Sequence, residues 1–170
     1  MERGKLIFLN GVTSAGKTSI VEQMQASREH FLYVVANDLF QETIGYEYLK
    51  EDYWKYLSDA IIMMYHTARM FSDFGKDILI DGIIVEKSQI APHYEKIKEI
   101  FQGYPLYIVH VDCPLEICRK RNIERGDRYE TQSEEQAELM AKGIEYCMRV
   151  DTSLYSSKEC AEQILDQIYK

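Results

Sequence analysis

The chain has 170 residues, of which 46% are hydrophobic and 28% charged, as is typical of one soluble globular domain. Its formal net charge of −8 disfavours a general nucleic-acid-binding protein, because such proteins carry a basic surface. No apolar run approaches the ~18 residues that a membrane span requires, and the first predicted strand lies close to Met1. We therefore expect neither a signal peptide nor a membrane anchor, and a cytoplasmic location.

Four cysteines occur, and their spacing lacks the pairs that are typical of metal sites. In a cytosolic protein they are expected to stay reduced, as buried or incidental thiols. The sequence gives no indication of the oligomeric state.

The most informative segment is a glycine loop between a predicted strand and a predicted helix. Residues 6–9 form a short apolar run that favours a buried strand, and residues 11–18 match the pattern G-x-x-x-x-G-K-[ST]. Apolar residues at helical spacing follow, so a helix is expected to begin near Lys17. The alternative is a tight turn that merely contains a lysine, but the complete match and its context favour a nucleoside-triphosphate site.

Each residue type in this loop suits phosphate binding. The glycines permit close approach of the backbone, whose amides surround the phosphates at the positive end of the helix. Lys17 is expected to contact the β- and γ-phosphates of ATP, and the Thr18 hydroxyl to bind Mg²⁺. The residues predicted to bind the nucleotide are Gly11, Thr13, Ser14, Ala15, Gly16, Lys17, Thr18 and Ser19.

One aspartate, Asp38, follows the second predicted strand, residues 31–36, and another, Asp81, lies at the carboxyl end of the third, residues 77–82. Open α/β sheets bind ligands at the carboxyl ends of their strands, where Asp38 and Asp81 are expected. For Asp38, a catalytic carboxylate and a helix N-cap are equally compatible with the position. For Asp81, a water-mediated Mg²⁺ contact is favoured over a turn aspartate.

The remainder of the chain predicts helices alternating with strands, and hence one doubly wound parallel sheet. A long amphipathic helix is predicted over residues 52–74, in which Tyr53, Trp54 and Tyr56 favour core packing over a place in an acceptor pocket. Further helices are predicted over 86–101, near 115–125, over 131–147 and over 157–169. Strands are predicted over 104–112 and near 150–153, and Ser133 with Gln136 forms a potential capping box.

The densest basic segment is 119–128, in which five of ten residues are basic. Gly126 is expected to end a helix here and to place Arg125 and Arg128 beside a turn. A solvated helix face is the ordinary explanation for such a segment, and it is preferred for Lys120. For Arg125 and Arg128 we favour a lid, around residues 119–132, that neutralises charge on the γ-phosphate.

The chain resembles the chloramphenicol phosphotransferase-like proteins, small P-loop kinases related in fold to shikimate and nucleotide kinases. The matching segments are 9–11, 14–17, Asp38, 80–81, 125–128, Gln136, 143–146, 150–152, and 159–161 with Ile164. Where the family often has a second acidic residue after the third strand, this chain has Gly82, and residues 43–74 show no match.

The resemblance implies a single P-loop kinase domain over residues 1–170, a three-layer α/β fold with a five-stranded parallel sheet in the order 2-3-1-4-5. It implies ATP-dependent phosphorylation of a hydroxyl on a small molecule, with Asp38 as the general base. The alternatives are a nucleotide or sugar-nucleotide kinase, and a nucleotide-binding regulatory module without phosphotransfer. A GTPase is disfavoured because no Asp-x-x-Gly or Asn-Lys-x-Asp sequence occurs.

Overall fold

The computed structural model describes residues 2–170, and these form five strands and eight helices. The strands are β1 Leu6–Asn10, β2 Tyr33–Ala36, β3 Ile78–Gly82, β4 Leu106–Asp112 and β5 Met148–Asp151. The helices are α1 Lys17–Gln25, α2 Asn37–Gln41, α3 Tyr46–Glu51, α4 Tyr53–Asp73, α5 His93–Ile100, α6 Leu115–Arg125, α7 Gln132–Leu139 and α8 Ser157–Tyr169.

The strands form one parallel sheet in the order β2-β3-β1-β4-β5, which confirms the expected topology. β1 lies at the centre, where Leu6 pairs with Ile78 on one side and with Leu106 on the other. All five residues of β1 are buried, as a central parallel strand covered on both faces requires.

Helices cover both faces of the sheet and divide the core into two layers. One layer packs α1, α6 and α8 against the sheet, and the other packs α4 and α5 against it. This is a three-layer α/β architecture, as predicted. Because the strands are parallel and β1, β2 and β3 are neighbours in the order β2-β3-β1, the loops after these three strands meet at one edge of the sheet.

Two predicted helices are shorter in the structure. The helix predicted over 86–101 begins only at His93, since Pro92 precedes it in an extended conformation. The helix predicted over 131–147 ends at Leu139, after which Met140 is extended and Gly143 adopts a φ of 71°. Met140 instead forms an isolated antiparallel bridge with Val85.

Other expectations are met. The helix predicted over 52–74 is α4, and Gly126 ends α6 in the left-handed conformation. The four cysteines are free thiols, and Cys147 is the exposed one among them. None of the helices formed by residues 2–170 combines the length and the apolar character that a membrane crossing needs. A cytoplasmic location stays a prediction.

Candidate active site

The glycine loop connects β1 to α1 through left-handed backbone conformations. Gly16 has a φ of 97°, and Ser14, with a φ of 57°, is the non-glycine residue with positive φ in the part of the chain that the structure describes. A Cβ atom at Gly11 would lie 2.6 Å from the Val111 carbonyl oxygen of β4. The loop therefore needs glycine at both fixed positions, for a positive φ at one and for close packing at the other.

Lys17 lies at the first turn of α1 with its ammonium group inside the loop. It donates hydrogen bonds to the carbonyl oxygens of Gly11, at 2.7 Å, and of Val12, at 2.9 Å. Burial lowers the pKa of Lys17, and this effect is opposed by the nearby carboxylates of Asp81 and Asp38. The ammonium has thus lost water without gaining an ion-pair partner within 4 Å among residues 2–170, so an anion in the loop would be attracted strongly.

Asp81, the fourth residue of β3, directs its carboxylate towards the start of α1. The Thr18 hydroxyl lies 3.3 Å from an Asp81 carboxylate oxygen. Burial raises the pKa of Asp81, opposed by Lys17 and by the hydrogen bond from Thr18. A hydroxyl and a carboxylate side by side are hard oxygen ligands of the type that Mg²⁺ prefers.

Asp38 follows β2 and lies in the first turn of α2. The N-cap of that helix is Ala36, and no side chain caps it, so the helix-cap alternative for Asp38 is wrong. The Asp38 side chain is 80% exposed, and an oxygen of it lies 3.5 Å from the Arg128 guanidinium. Asp38, Lys17 and Asp81 all line one cavity of about 790 Å³.

Arg125 and Arg128 also line this cavity, on either side of the turn that follows α6. Arg125 pairs with Asp127 at 3.2 Å, and both side chains are about half exposed. Arg128 is more buried, at 28% exposure, and its Nε atom is buried without a partner among residues 2–170. Exposed ion pairs contribute little free energy, so both guanidinium groups are available to a more highly charged ligand.

Helix α4 contributes five residues to the lining of the cavity, namely Tyr53, Trp54, Leu57, Ser58 and Ile61. Tyr53 and Trp54, which were expected in the core, line the cavity instead, and Tyr53 is 41% exposed. Helical spacing identified the correct face of α4, but the first turn of that face lines the cavity and does not belong to the core. The core begins lower on the helix, with Ile61 and Met64.

The loop makes contacts with α7 that the sequence analysis missed. Gln136 accepts a hydrogen bond from the Thr13 amide at 2.6 Å, and the Ser133 hydroxyl donates to the Thr13 carbonyl at 3.1 Å. The capping box predicted for Ser133 and Gln136 is therefore wrong, and α7 has no side-chain cap. A contact across 120 residues leaves no local pattern in the sequence.

Arg121 is a second residue that sequence reasoning missed. Its guanidinium donates to the Ser14 carbonyl at 3.2 Å, and to the Thr152 hydroxyl at 2.9 Å and carbonyl at 3.0 Å. Thr152 in turn donates to the Ala15 carbonyl at 2.7 Å. Arg121 thus lines the cavity while holding the outer side of the glycine loop. Arg121 lies in the basic segment 119–128, but the sequence alone does not distinguish it from the other four basic residues there.

The residues predicted to bind the nucleotide divide into two groups. Those that line the cavity are Thr13, Ser14, Gly16, Lys17, Thr18 and Ser19. Gly11 and Ala15 lie behind this surface, where Ala15 is fully buried and packs in the core of the α1 layer. Their part in the site is to shape the loop.

The same fold occurs in solved kinase structures. The structure of the APS kinase of Mycobacterium tuberculosis in complex with AMPPNP and APS is 17% identical, covers 100% of both chains and gives a TM-score of 0.72. The shikimate kinase of Acinetobacter baumannii in complex with shikimate is 17% identical, covers 99% of this chain and 94% of its own, and gives a TM-score of 0.66. These similarities show a P-loop kinase fold.

Sequence comparison assigns the family. A Mycobacterium tuberculosis protein is 24% identical to this chain over 188 aligned positions. It occurs in strains CDC 1551 and H37Rv, and its name proposes O-phosphotransferase activity. The alignment covers 96% of this chain and 82% of the relative. The family model described as "Chloramphenicol phosphotransferase-like protein" matches residues 4–169. This match spans nearly all of the sequence, so the chain belongs to the chloramphenicol phosphotransferase-like family.

Proposed function

We propose that the protein is an ATP-dependent kinase that transfers the γ-phosphoryl group to a hydroxyl of a small molecule. The observation that carries the proposal is the shared cavity of about 790 Å³, which Lys17 and Asp38 both line. A phosphate-binding lysine and a free carboxylate in one cavity are what hydroxyl phosphorylation requires. The family assignment supports the same reaction class.

The glycine loop would hold the triphosphate. The partly desolvated Lys17 ammonium would exchange its bonds to two loop carbonyls for bonds to phosphate oxygens. The Thr13 amide is occupied by Gln136 in this structure, so its use by a phosphate would require that side chain to move.

Thr18 and Asp81 fit a magnesium site, since their oxygens lie 3.3 Å apart at the edge of the loop. When bound there, Mg²⁺ would neutralise charge on the β- and γ-phosphates. Burial raises the pKa of Asp81 in spite of the nearby Lys17 ammonium and the Thr18 hydrogen bond, so its negative charge is only partly compensated. A cation beside it would compensate the remainder.

Asp38 would act as the general base. As the acceptor oxygen bonds to the γ-phosphorus, the bond to the β-phosphate bridging oxygen breaks, ADP leaves, and the hydroxyl proton passes to the Asp38 carboxylate. The side chain is 80% exposed, and its ion pair with Arg128 spans 3.5 Å, so the carboxylate can reach an acceptor without losing a strong interaction.

Arg125 and Arg128 would form the lid together with the turn that follows α6. Both line the cavity, and both carry only exposed or partly exposed ion pairs in this structure. Closure of the turn over the γ-phosphate would bring these guanidinium groups to the charge that develops during transfer.

The test is phosphoryl transfer by the purified protein from radiolabelled ATP with Mg²⁺ to a panel of alcohols, nucleosides and nucleoside monophosphates. We expect a product with an alcohol, and a loss of about 10²- to 10⁴-fold in kcat in Asp38→Asn with ATP affinity retained. Asp166→Asn, an exposed aspartate of α8, is the matched control.

Each other outcome contradicts part of the proposal. Ordinary transfer by Asp38→Asn would exclude this residue as the base. Transfer to nucleoside monophosphates alone would indicate a nucleotide kinase. Saturable ATP binding with no phosphorylated acceptor across the panel would indicate a regulatory module.

A further inference from the structure

Three polar side chains of α4 and α5 form a buried hydrogen-bonded cluster at the wall of the cavity. The Ser58 hydroxyl of α4 lies 2.9 Å from His93 Nε2, and the Tyr65 hydroxyl, two turns further along α4, lies 3.0 Å from His93 Nδ1. Ser58 is 5% exposed, His93 2% and Tyr65 0%. Ser58 and His93 line the cavity, whereas Tyr65 lies beneath it.

The direction of these hydrogen bonds follows from the burial of Tyr65. Its hydroxyl has His93 as its partner and no second one among residues 2–170. If His93 carried its proton on Nδ1, the Tyr65 proton would be buried without an acceptor, which is costly. The Tyr65 hydroxyl therefore donates to Nδ1, and Nε2–H donates to Ser58.

This arrangement leaves the Ser58 proton free. The Ser58 oxygen accepts from His93, and its own hydrogen has no acceptor among residues 2–170. The hydroxyl belongs to the cavity lining, so this hydrogen is available to a molecule bound there. Ser58 is thus a donor whose direction is set by the two residues behind it.

The three groups are also uncharged. Burial lowers the pKa of His93 to about 4 and raises the pKa of Tyr65 above its ordinary value. At neutral pH Ser58 therefore offers a bound molecule a hydrogen bond from an uncharged cluster. Trp54, Leu57 and Ile61, at helical spacing around Ser58, add an apolar surface to the same wall.

We propose that Ser58 binds the phosphoryl acceptor by donating a hydrogen bond to a neutral oxygen of that molecule, and that His93 and Tyr65 orient the donor. The acceptor class is an alcohol with a largely apolar body that carries an additional ether, carbonyl or hydroxyl oxygen. This inference rests on the proposed function, because it concerns the acceptor part of the same cavity.

The test uses two probes that no kinase can phosphorylate, benzyl methyl ether and its hydrocarbon analogue n-propylbenzene. The chain has one tryptophan, and Trp54 lines the cavity, so its indole N–H signal in ¹H–¹⁵N NMR spectra reports binding of either probe. We expect the ratio of ether affinity to hydrocarbon affinity to fall about fivefold in Ser58→Ala, as for the loss of one neutral hydrogen bond.

Ser72→Ala is the matched control, since it removes a buried hydroxyl from the same helix outside the cavity. It is expected to leave the ratio as in the wild type. A ratio that Ser58→Ala does not change, or an ether that fails to bind the wild type, would overturn the inference.

The orientation of Ser58 is measured separately through the tautomer of His93. The ¹⁵N spectrum of the imidazole, assigned with His93→Gln, is expected to show the neutral Nε2–H form at pH 7, and the Nδ1–H form would contradict the proposed direction. Neither measurement involves phosphoryl transfer. Loss of the ether preference in Ser58→Ala would support the role of Ser58 even if the alcohol panel gave no product. A phosphorylated alcohol together with an unchanged ether preference would overturn the role of Ser58 and leave the kinase proposal intact.

Discussion

The buried His93 makes the stability of the protein depend on pH in a predictable direction. The side chain is 2% exposed, and burial lowers its pKa from 6.5 to about 4. Between these values the unfolded chain binds more protons than the native state, so the free energy of unfolding falls as the pH falls from 6.5 towards 4. A pKa difference of about 2.5 corresponds to about 3 kcal/mol of unfolding free energy. This contribution is fully present above pH 6.5 and is lost as the pH falls to about 4.

The assay is urea denaturation of the wild type and His93→Gln at several values between pH 7 and pH 4. Carboxylates titrate in both proteins, so the difference between the two unfolding free energies isolates His93. Between pH 7 and pH 4 we expect the unfolding free energy of the wild type to fall by about 3 kcal/mol more than that of His93→Gln. Tyr65→Phe, which disturbs the same contacts without removing the imidazole, is expected to keep most of the wild-type pH dependence. A difference for His93→Gln that stays constant from pH 7 to pH 4 would refute the reasoning.

Three further predictions concern other buried contacts. Asn10→Ala is expected to lower the free energy of unfolding by about 2 to 4 kcal/mol in urea denaturation, because the fully buried Asn10 side chain accepts the amide hydrogen bond of Ile84 at 2.8 Å; a loss below this range would mean that the amide finds another acceptor. Gly82→Ala is expected to lower kcat about ten- to hundredfold with ATP affinity unchanged, because its Cβ would lie 2.5 Å from Asn37 Oδ1, beside the proposed base; wild-type steady-state kinetics would contradict this. Arg121→Lys is expected to weaken ATP binding about tenfold in calorimetry, because a lysine cannot keep the forked contacts that hold the glycine loop; unchanged affinity would show that the loop keeps its shape alone.

The features that the sequence predicted well are encoded by neighbouring residues. The glycine loop depends on a contiguous strand, turn and helix, and α4 and α8 carry long apolar faces, so local patterns were sufficient. Asp38 and Asp81 were predicted at the same sheet edge because one follows a strand and the other lies at the carboxyl end of a strand. The strand order itself came from the family resemblance, since spacing alone does not select one parallel order.

The features that were missed depend on contacts between distant segments. Ser133 and Gln136 match a local capping pattern, but their side chains bind Thr13, more than 100 residues away. Trp54 lies on an apolar helical face whose first turn lines the cavity, and periodicity cannot show where a core ends. Gly82 departs from the family pattern, and in the structure the Asn37 side chain lies in the space that a Cβ at this position would need, a contact that the sequence does not show.

The contacts of Thr13 connect the nucleotide half of the cavity to the proposed lid. Gln136 and Ser133 hold both backbone groups of Thr13 from α7, and Asn122 of α6 binds Ser133 at 2.9 Å and Ser14 at 2.7 Å. The turn with Arg125 and Arg128 joins these two helices. A phosphate that took the Thr13 amide would displace Gln136 and so disturb α7, the helix that follows the proposed lid. We therefore expect nucleotide binding and lid position to be coupled through these hydrogen bonds. Gln136→Ala is expected to weaken that coupling while leaving Lys17, Thr18 and Asp81 in place.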